Sequence, residues 1–163
     1  MKLCISTEID VEAAAEAAFD FISDSRNLAR FVRPLGPIPG VERCETMDSN
    51  AEALERRDVH MTDGTITEEQ VVAFERPRHY RYRWLSPPQA PLHWLIRTAE
   101  SDWVCGAVAS GTRIHWTYEL TLTSPLAYPA TWLFALLFKR WMLAALARVK
   151  IHLQPVAAGR RAQ

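Results

Sequence analysis

The chain has 163 residues, 48% hydrophobic and 23% charged, with 10 prolines and 6 glycines, a profile that fits one soluble domain with a sizeable core and excludes collagen-like, disordered and disulfide-scaffold chains. Nineteen Lys and Arg balance nineteen Asp and Glu, so no global field draws in nucleic acid or an anionic membrane, and such a partner needs a local patch. Cys4, Cys44 and Cys105 lack CxxC spacing and the N-terminus carries no apolar h-region, so a reducing cytoplasm is the expected compartment.

Lys2 to Ile9 reads as a short strand, with Asp10 as the N-cap of a helix. Val11, Ala14, Ala15, Ala18, Phe19 and Ile22 recur at helical spacing, opposite Glu12, Glu16 and Asp20. A second short helix from Ser25 places Leu28, Phe31 and Val32 on one side and stops before Pro34. Arg33 to Gly40, with three prolines and two glycines, is a stiff loop. Strand and turn signals then run to Thr123. Asp48-Ser49-Asn50 marks one turn, and Asp63-Gly64 marks another between strand-like stretches at Leu54 to Met61 and Thr65 to Glu75. Tyr80, Tyr82 and Trp84 alternate with Arg81 and Arg83, so aromatics and cations lie on opposite strand faces and cannot together grip a nucleic acid. His93 to Val104 and Thr112 to Leu122 form the last hairpin, with Cys105 to Gly111 as its connection. Connections this short make the sheet antiparallel. The final helix starts near Ser124-Pro125 or Tyr128-Pro129 and ends before Pro155. Its length of about 37 Å suffices to cross a sheet face. Its longest apolar run, Leu126 to Phe138, is 13 residues and too short to span a bilayer.

Together these elements predict an α+β fold: a curved antiparallel sheet of about seven strands around a long C-terminal helix, two short helices after strand 1, and a cavity between sheet and helix. One domain over residues 2–154 is expected, with 155–163 as a flexible tail.

The order of elements and several local strings resemble the helix-grip superfamily of START lipid-transfer domains, plant pathogenesis-related allergens and bacterial polyketide cyclase/dehydrase-like proteins, often labelled SRPBCC. The strings are Asp10 with an Ala-rich helix ending Phe19-Asp20-Phe21-Ile22-Ser23-Asp24, the proline loop, and Asp63-Gly64 followed by Glu69. Arg76-Pro77-Arg78 leading into Tyr80 and Tyr82, Gly111-Thr112-Arg113, and the final helix through Leu146 to Leu153 complete the set. One departure is Asp48-Ser49-Asn50-Ala51, where relatives often show Gly-x-Gly. The resemblance implies a pocket for an apolar small molecule and, in some relatives, cyclase, dehydratase or hydrolase chemistry. It carries over no catalytic set.

The hairpin at Asp63-Gly64 sets the candidate polar groups. A two-residue turn puts Arg57, Val59, Met61, Ile66, Glu68, Gln70, Val72 and Phe74 on the cavity face and Thr65, Thr67 and Glu69 on the other. A turn of odd length swaps in Glu69, the position of a Glu frequent in relatives. In the binding reading, Tyr80, Tyr82, Trp84, Trp94, Trp116, Tyr118 and Trp132 form the wall, and Arg57, Glu68 and Gln70 orient a polar end. In the enzyme reading, Glu68, or Glu69 in the other register, is a general base, and Arg57 or a Tyr hydroxyl stabilises an enolate. In a third reading the chain is a stress or membrane-associated adaptor. There is no GxGxxG, phosphate loop, HExxH or GxSxG, and five histidines lack ligand spacing, so neither metal nor cofactor is expected. Cys44 and Cys105 read as small buried apolar groups, with nucleophiles as the alternative. The all-round apolar start of the last helix exceeds what one sheet face covers, which points to an apolar ligand, a homodimer contact or a peripheral membrane contact.

Overall fold

The structure, a computed structural model, describes residues 1–47 and 55–154. The turn expected at Asp48-Ser49-Asn50 and the expected tail lie outside the described residues. Seven strands form one antiparallel sheet: β1 (Lys2–Val11), β2 (Val41–Met47), β3 (Arg56–Met61), β4 (Ile66–Glu75), β5 (His79–Trp84), β6 (Ile96–Val108) and β7 (Gly111–Leu122). Their spatial order is β1-β7-β6-β5-β4-β3-β2. Two short helices, α1 (Ala15–Ser23) and α2 (Leu28–Phe31), join β1 to β2, and α3 (Tyr128–Leu153) closes the chain. This is the expected helix-grip architecture.

Strand alternation sorts the side chains. Ile5 and Thr7 of β1, Tyr80 and Tyr82 of β5, Trp103 and Cys105 of β6, and Ile114, Trp116, Tyr118 and Leu120 of β7 are buried on the concave face. The convex face is charged: Arg81 pairs with Glu100, His79 with Asp102 at 2.5 Å, and Lys2 with Glu119 at 2.5 Å. Arg83 donates to Gln70 on the same face at 3.0 Å. The aromatic and cationic rows of β5 therefore point apart, as their alternation predicts.

Three boundaries differ from expectation. Asp10 is not a helix cap; it stays in β1 opposite Arg113, whose Nε and Nη2 donate to its two carboxylate oxygens at 2.7 and 2.9 Å. That two-pronged bond holds β1 extended through Val11, and α1 begins only at Ala15. The β6–β7 connection is two residues, since both strands run on to Val108 and Gly111. Residues Leu92–Trp94 form a 3₁₀ turn, so β6 starts at Ile96 instead of His93.

The hairpin between β3 and β4 has three residues in its turn. Met61 N donates to Thr65 O at 2.8 Å, Gly64 N donates to Met61 O at 3.0 Å, and Gly64 has φ of 84°. This is a type I turn followed by a left-handed glycine, which supplies the bulge residue without a Cβ penalty. The odd count pairs Arg57 with Glu69 and Val59 with Thr67. A second irregularity, between Val71 and Ala73 where β4 meets β5, shifts the phase again, so Phe74 lies opposite Tyr80 and meets Phe19 edge-on at 5.2 Å. Glu69, Val71 and Phe74 thus share the inner face, although strict alternation separates Phe74 from the other two.

α3 lies over the β1 side of the sheet and touches α1 and α2. Phe19 of α1, Phe31 of α2, and Met142, Ala145, Leu146 and Val149 of α3 lose all but a trace of their exposure there. The stretch from Pro125 to Leu153 is long and apolar enough to cross a membrane, yet it is the core helix of the fold.

Gly111 ties β7 to the turn after β1. Its φ is 139°, and a Cβ there would lie 2.2 Å from Val11 O. Gly111→Ala is expected to cost about 1–3 kcal/mol, seen as a lower urea midpoint with an unchanged slope; an unaltered midpoint would show that this approach is not tight.

Candidate functional site

Because α3 lies to one side, the concave face of β3 to β7 is only partly covered. The uncovered part is a cavity of about 410 Å³, within the range of small-molecule sites. Its floor and walls are aromatic: Tyr82 and Trp84 from β5, Trp103 from β6, Trp116 and Tyr118 from β7, and Phe134, Phe138 and Trp141 from α3. Trp103 and Trp116 stack with centroids 4.1 Å apart, and Phe138 meets Tyr118 edge-on at 5.0 Å. The mouth is framed by Pro37 to Pro39, the β3–β4 turn from Asp63 to Thr67, and Pro88 to Leu92.

Two polar groups on this face carry charge. Arg57 and Glu69 are 1% and 6% exposed. Arg57 Nε donates to Glu69 Oε2 at 2.9 Å, and Nη2 lies 2.7 Å from the same oxygen. The guanidinium also sits over the ring of Tyr82, 4.8 Å from its centroid, and beside that of Tyr80 at 5.8 Å. Burial works against the Arg57 charge, but Glu69 and the two tyrosines keep it protonated. Burial raises the Glu69 carboxyl above its ordinary range, while the Arg57 charge and hydrogen bond and the Trp84 indole draw it back. Arg57 occupies one carboxylate oxygen of Glu69, and Glu69 itself lines the cavity.

The remaining polar groups are hydroxyls and indoles. Tyr82 and Tyr118 share a hydrogen bond of 2.8 Å, and Trp116 Nε1 donates to Ser101 Oγ at 2.9 Å. Burial pushes the Tyr82 hydroxyl up to about 12 and Tyr118 upward as well, so both remain proton donors. The Tyr80 hydroxyl and the indole nitrogens of Trp84, Trp103 and Trp141 are buried without a hydrogen-bond partner. Burial lifts the Cys44 and Cys105 thiols to about 11 each, which leaves neither as a thiolate at neutral pH. Among the described residues no three His, Cys, Asp or Glu converge on a metal-binding geometry.

The sequence-predicted residues separate accordingly. Arg57, Tyr80, Tyr82, Trp84, Trp116 and Tyr118 are on the concave face, Tyr80 behind the ion pair and the last four in the cavity wall. Glu68 and Gln70 are not; the three-residue turn puts Glu68 in solvent and Gln70 against Arg83 on the convex face. Glu69 takes the place expected for Glu68. Trp94 and Trp132 are exposed and outside the wall, because Trp94 sits in the 3₁₀ turn and Trp132 on the solvent side of α3. Trp103 and Trp141 were not anticipated. Trp103 has a signal in the alternation of Ala99, Ser101, Trp103 and Cys105, and Trp141 follows Phe134 and Phe138 at helical spacing.

Among known structures, the chain superposes on the ZhuI aromatase/cyclase from Streptomyces sp. R1128 with a TM-score of 0.72 at 16% identity, covering 98% of this chain and 99% of that one. The di-domain ARO/CYC StfQ from the steffimycin biosynthetic pathway gives a TM-score of 0.73 at 12% identity, covering 94% of this chain and 51% of that one. Ara h 8.0201 gives 0.65 at 10% identity, covering 94% and 98%. The chain spans about half the length of the di-domain proteins StfQ and BexL. At these identities the likeness is one of fold. Among curated proteins nothing matches. The family model described as polyketide cyclase / dehydrase and lipid transport matches residues 2–154.

The buried pair makes a pH-dependent prediction. Arg57→Met leaves Glu69 uncompensated and is expected to cost about 3–5 kcal/mol at neutral pH. A carboxyl held above its ordinary range binds its proton more readily folded than unfolded, so it favours the fold at low pH and loses that contribution as pH rises through the raised value. The deficit of Arg57→Met in urea unfolding should therefore shrink as pH falls toward the usual carboxylate range; a deficit constant with pH would mean that Glu69 is not desolvated.

Proposed function

Because the chain belongs to the polyketide cyclase/dehydrase and lipid transport family, we propose that it binds and carries an apolar, ring-containing small molecule with a hydroxyl or carbonyl at one end. The observation that supports this most is the cavity itself: an aromatic wall with one carboxylate whose second oxygen is not engaged by Arg57. Flat rings would stack on the aromatic wall to which Trp103, Trp116 and Phe138 contribute. A ligand hydroxyl would donate to Glu69, and a ligand carbonyl would accept from the Tyr82–Tyr118 hydroxyl pair in the wall. In a water-poor pocket such bonds discriminate strongly against ligands that lack the group, since the buried protein partner is otherwise left bare.

A second reading is favoured by Glu69 specifically. A carboxyl with a raised pKa, fixed by an arginine and next to tyrosine hydroxyls that stay protonated, suits a general base that takes a proton from a carbon beside a carbonyl. Tyr82 or Tyr118 would then donate to the enolate oxygen that forms. This is cyclase or dehydratase chemistry, and it uses the same site.

Paired probes separate the readings. Naphthalene and 2-naphthol, followed by quenching of tryptophan fluorescence, should both bind, with 2-naphthol tighter. Glu69→Gln should reduce the 2-naphthol preference roughly tenfold and leave naphthalene little changed, while Trp116→Ala should weaken both. Binding of neither probe to folded protein would end the carrier reading. If Glu69 is a base, Glu69→Gln should instead lower turnover of an aromatic polyketide-like substrate about 100-fold or more with binding retained.

A further inference from the structure

We propose that the outward side of the first half of α3, together with Trp94, is a docking surface for an anionic lipid bilayer. It adds a place of action to the carrier reading, but its observations stand apart from the cavity.

Leu126, Trp132, Leu133, Leu136 and Leu137 all face solvent, Leu126 at 91% exposure. Their spacing puts them on one side of the helix and its lead-in, opposite Ala135, Phe138 and Met142, which are buried against the body of the protein. Trp94, 67% exposed, is tied to the segment that leads into α3, where Thr123 Oγ1 donates to its carbonyl at 2.6 Å. Large side chains exposed in one contiguous patch are unusual in a domain that acts free in solution. Two of them are tryptophans, the side chain that sits best at the level of lipid headgroups.

Charge decides what covers the patch. Residues 120–163 contain six Lys and Arg and no Asp or Glu, in a chain whose net charge is zero, so a basic excess is segregated to this end. Lys139 and Arg140 are exposed on the turn directly after Leu136 and Leu137. A second copy laid patch to patch would bring cations against cations, with no carboxylate on α3 to pair them. Phosphate headgroups supply the missing anion. The helix lies on the bilayer and does not cross it, since Met142, Ala145, Leu146 and Val149 are fully engaged by the protein core.

The patch is continuous with the cavity mouth. Leu92 is two residues from Trp94, Phe134 adjoins Leu133, and both line the cavity. A bilayer contacting Trp94 and Leu133 would therefore abut the opening, and an apolar ligand could pass between lipid and pocket with little exposure to water.

Sedimentation with phosphatidylcholine vesicles, plain or containing about 30 mol% phosphatidylglycerol at ~0.1 M salt, tests this. The protein should pellet with the anionic vesicles at least roughly tenfold more strongly than with the neutral ones. Leu133→Glu/Leu136→Glu, at exposed positions and checked for native circular dichroism, should abolish pelleting. Lys139→Gln/Arg140→Gln should remove the preference for phosphatidylglycerol. No pelleting with anionic vesicles, or pelleting unaffected by the glutamates, would overturn the proposal. So would a dimer in sedimentation equilibrium that the glutamates dissociate, because a second copy would then cover the patch. The naphthol measurement, made without vesicles, reads the cavity alone, so either proposal can fail while the other holds.

Discussion

One helix cannot cover the concave side of seven strands. α3 takes the β1 side, α1 packs beside it on β6 and β7, and α2 links α3 to β2 at the far edge; the cavity is what these helices leave uncovered. On the covered side small and aliphatic residues, Ala145, Leu146 and Val149, allow close approach to the sheet. On the other side the space is bridged by rings reaching across from both layers, Phe138 and Trp141 from above and Trp116 and Tyr118 from below. Rings are stiff and few, and they span a wide gap without filling it.

Placing a charge pair inside such a space has a large desolvation cost. Arg57 and Glu69 tolerate it because they pair with each other and the guanidinium lies against two aromatic rings as well. An aliphatic pair of similar volume would hold this core at least as firmly.

Much of the architecture was legible in the sequence, because it rests on long periodic signals. The alternation of Tyr80 and Tyr82 with Arg81 and Arg83, the apolar stretch after Pro125, and the helical spacing of Ala18, Phe19 and Ile22 each commit a segment to one face. The site was less legible because it hangs on single-residue phase. One extra residue in the Asp63-Gly64 turn exchanges Glu68 for Glu69, and the irregularity near Val72 then restores Phe74 to the inner face. The apolar count along β4 therefore favoured the wrong set: Phe74 and Val72 vote with Glu68 when alternation is taken as unbroken. Asp10 misled for a related reason. A carboxylate before an Ala-rich run is a sound cap by local chemistry, and only the distant Arg113 assigns it to the strand. In α3, apolar residues on every side hid the cavity-facing row at Phe134, Phe138 and Trp141.

The six tryptophans fall into two optical classes. Trp84, Trp103, Trp116 and Trp141 surround the cavity, whereas Trp94 and Trp132 stand in solvent. Trp103 and Trp116 are nearly parallel, with 19° between their planes and 4.1 Å between their centroids, so their excited states are coupled and do not absorb as independent chromophores. The near-ultraviolet dichroism of the protein is consequently weighted toward the geometry of the cavity floor, and the long-wavelength, solvent-relaxed emission toward the two outer indoles. Events inside the pocket and events at the outer surface thus write to different parts of one spectrum, and the unlabelled protein reports on both.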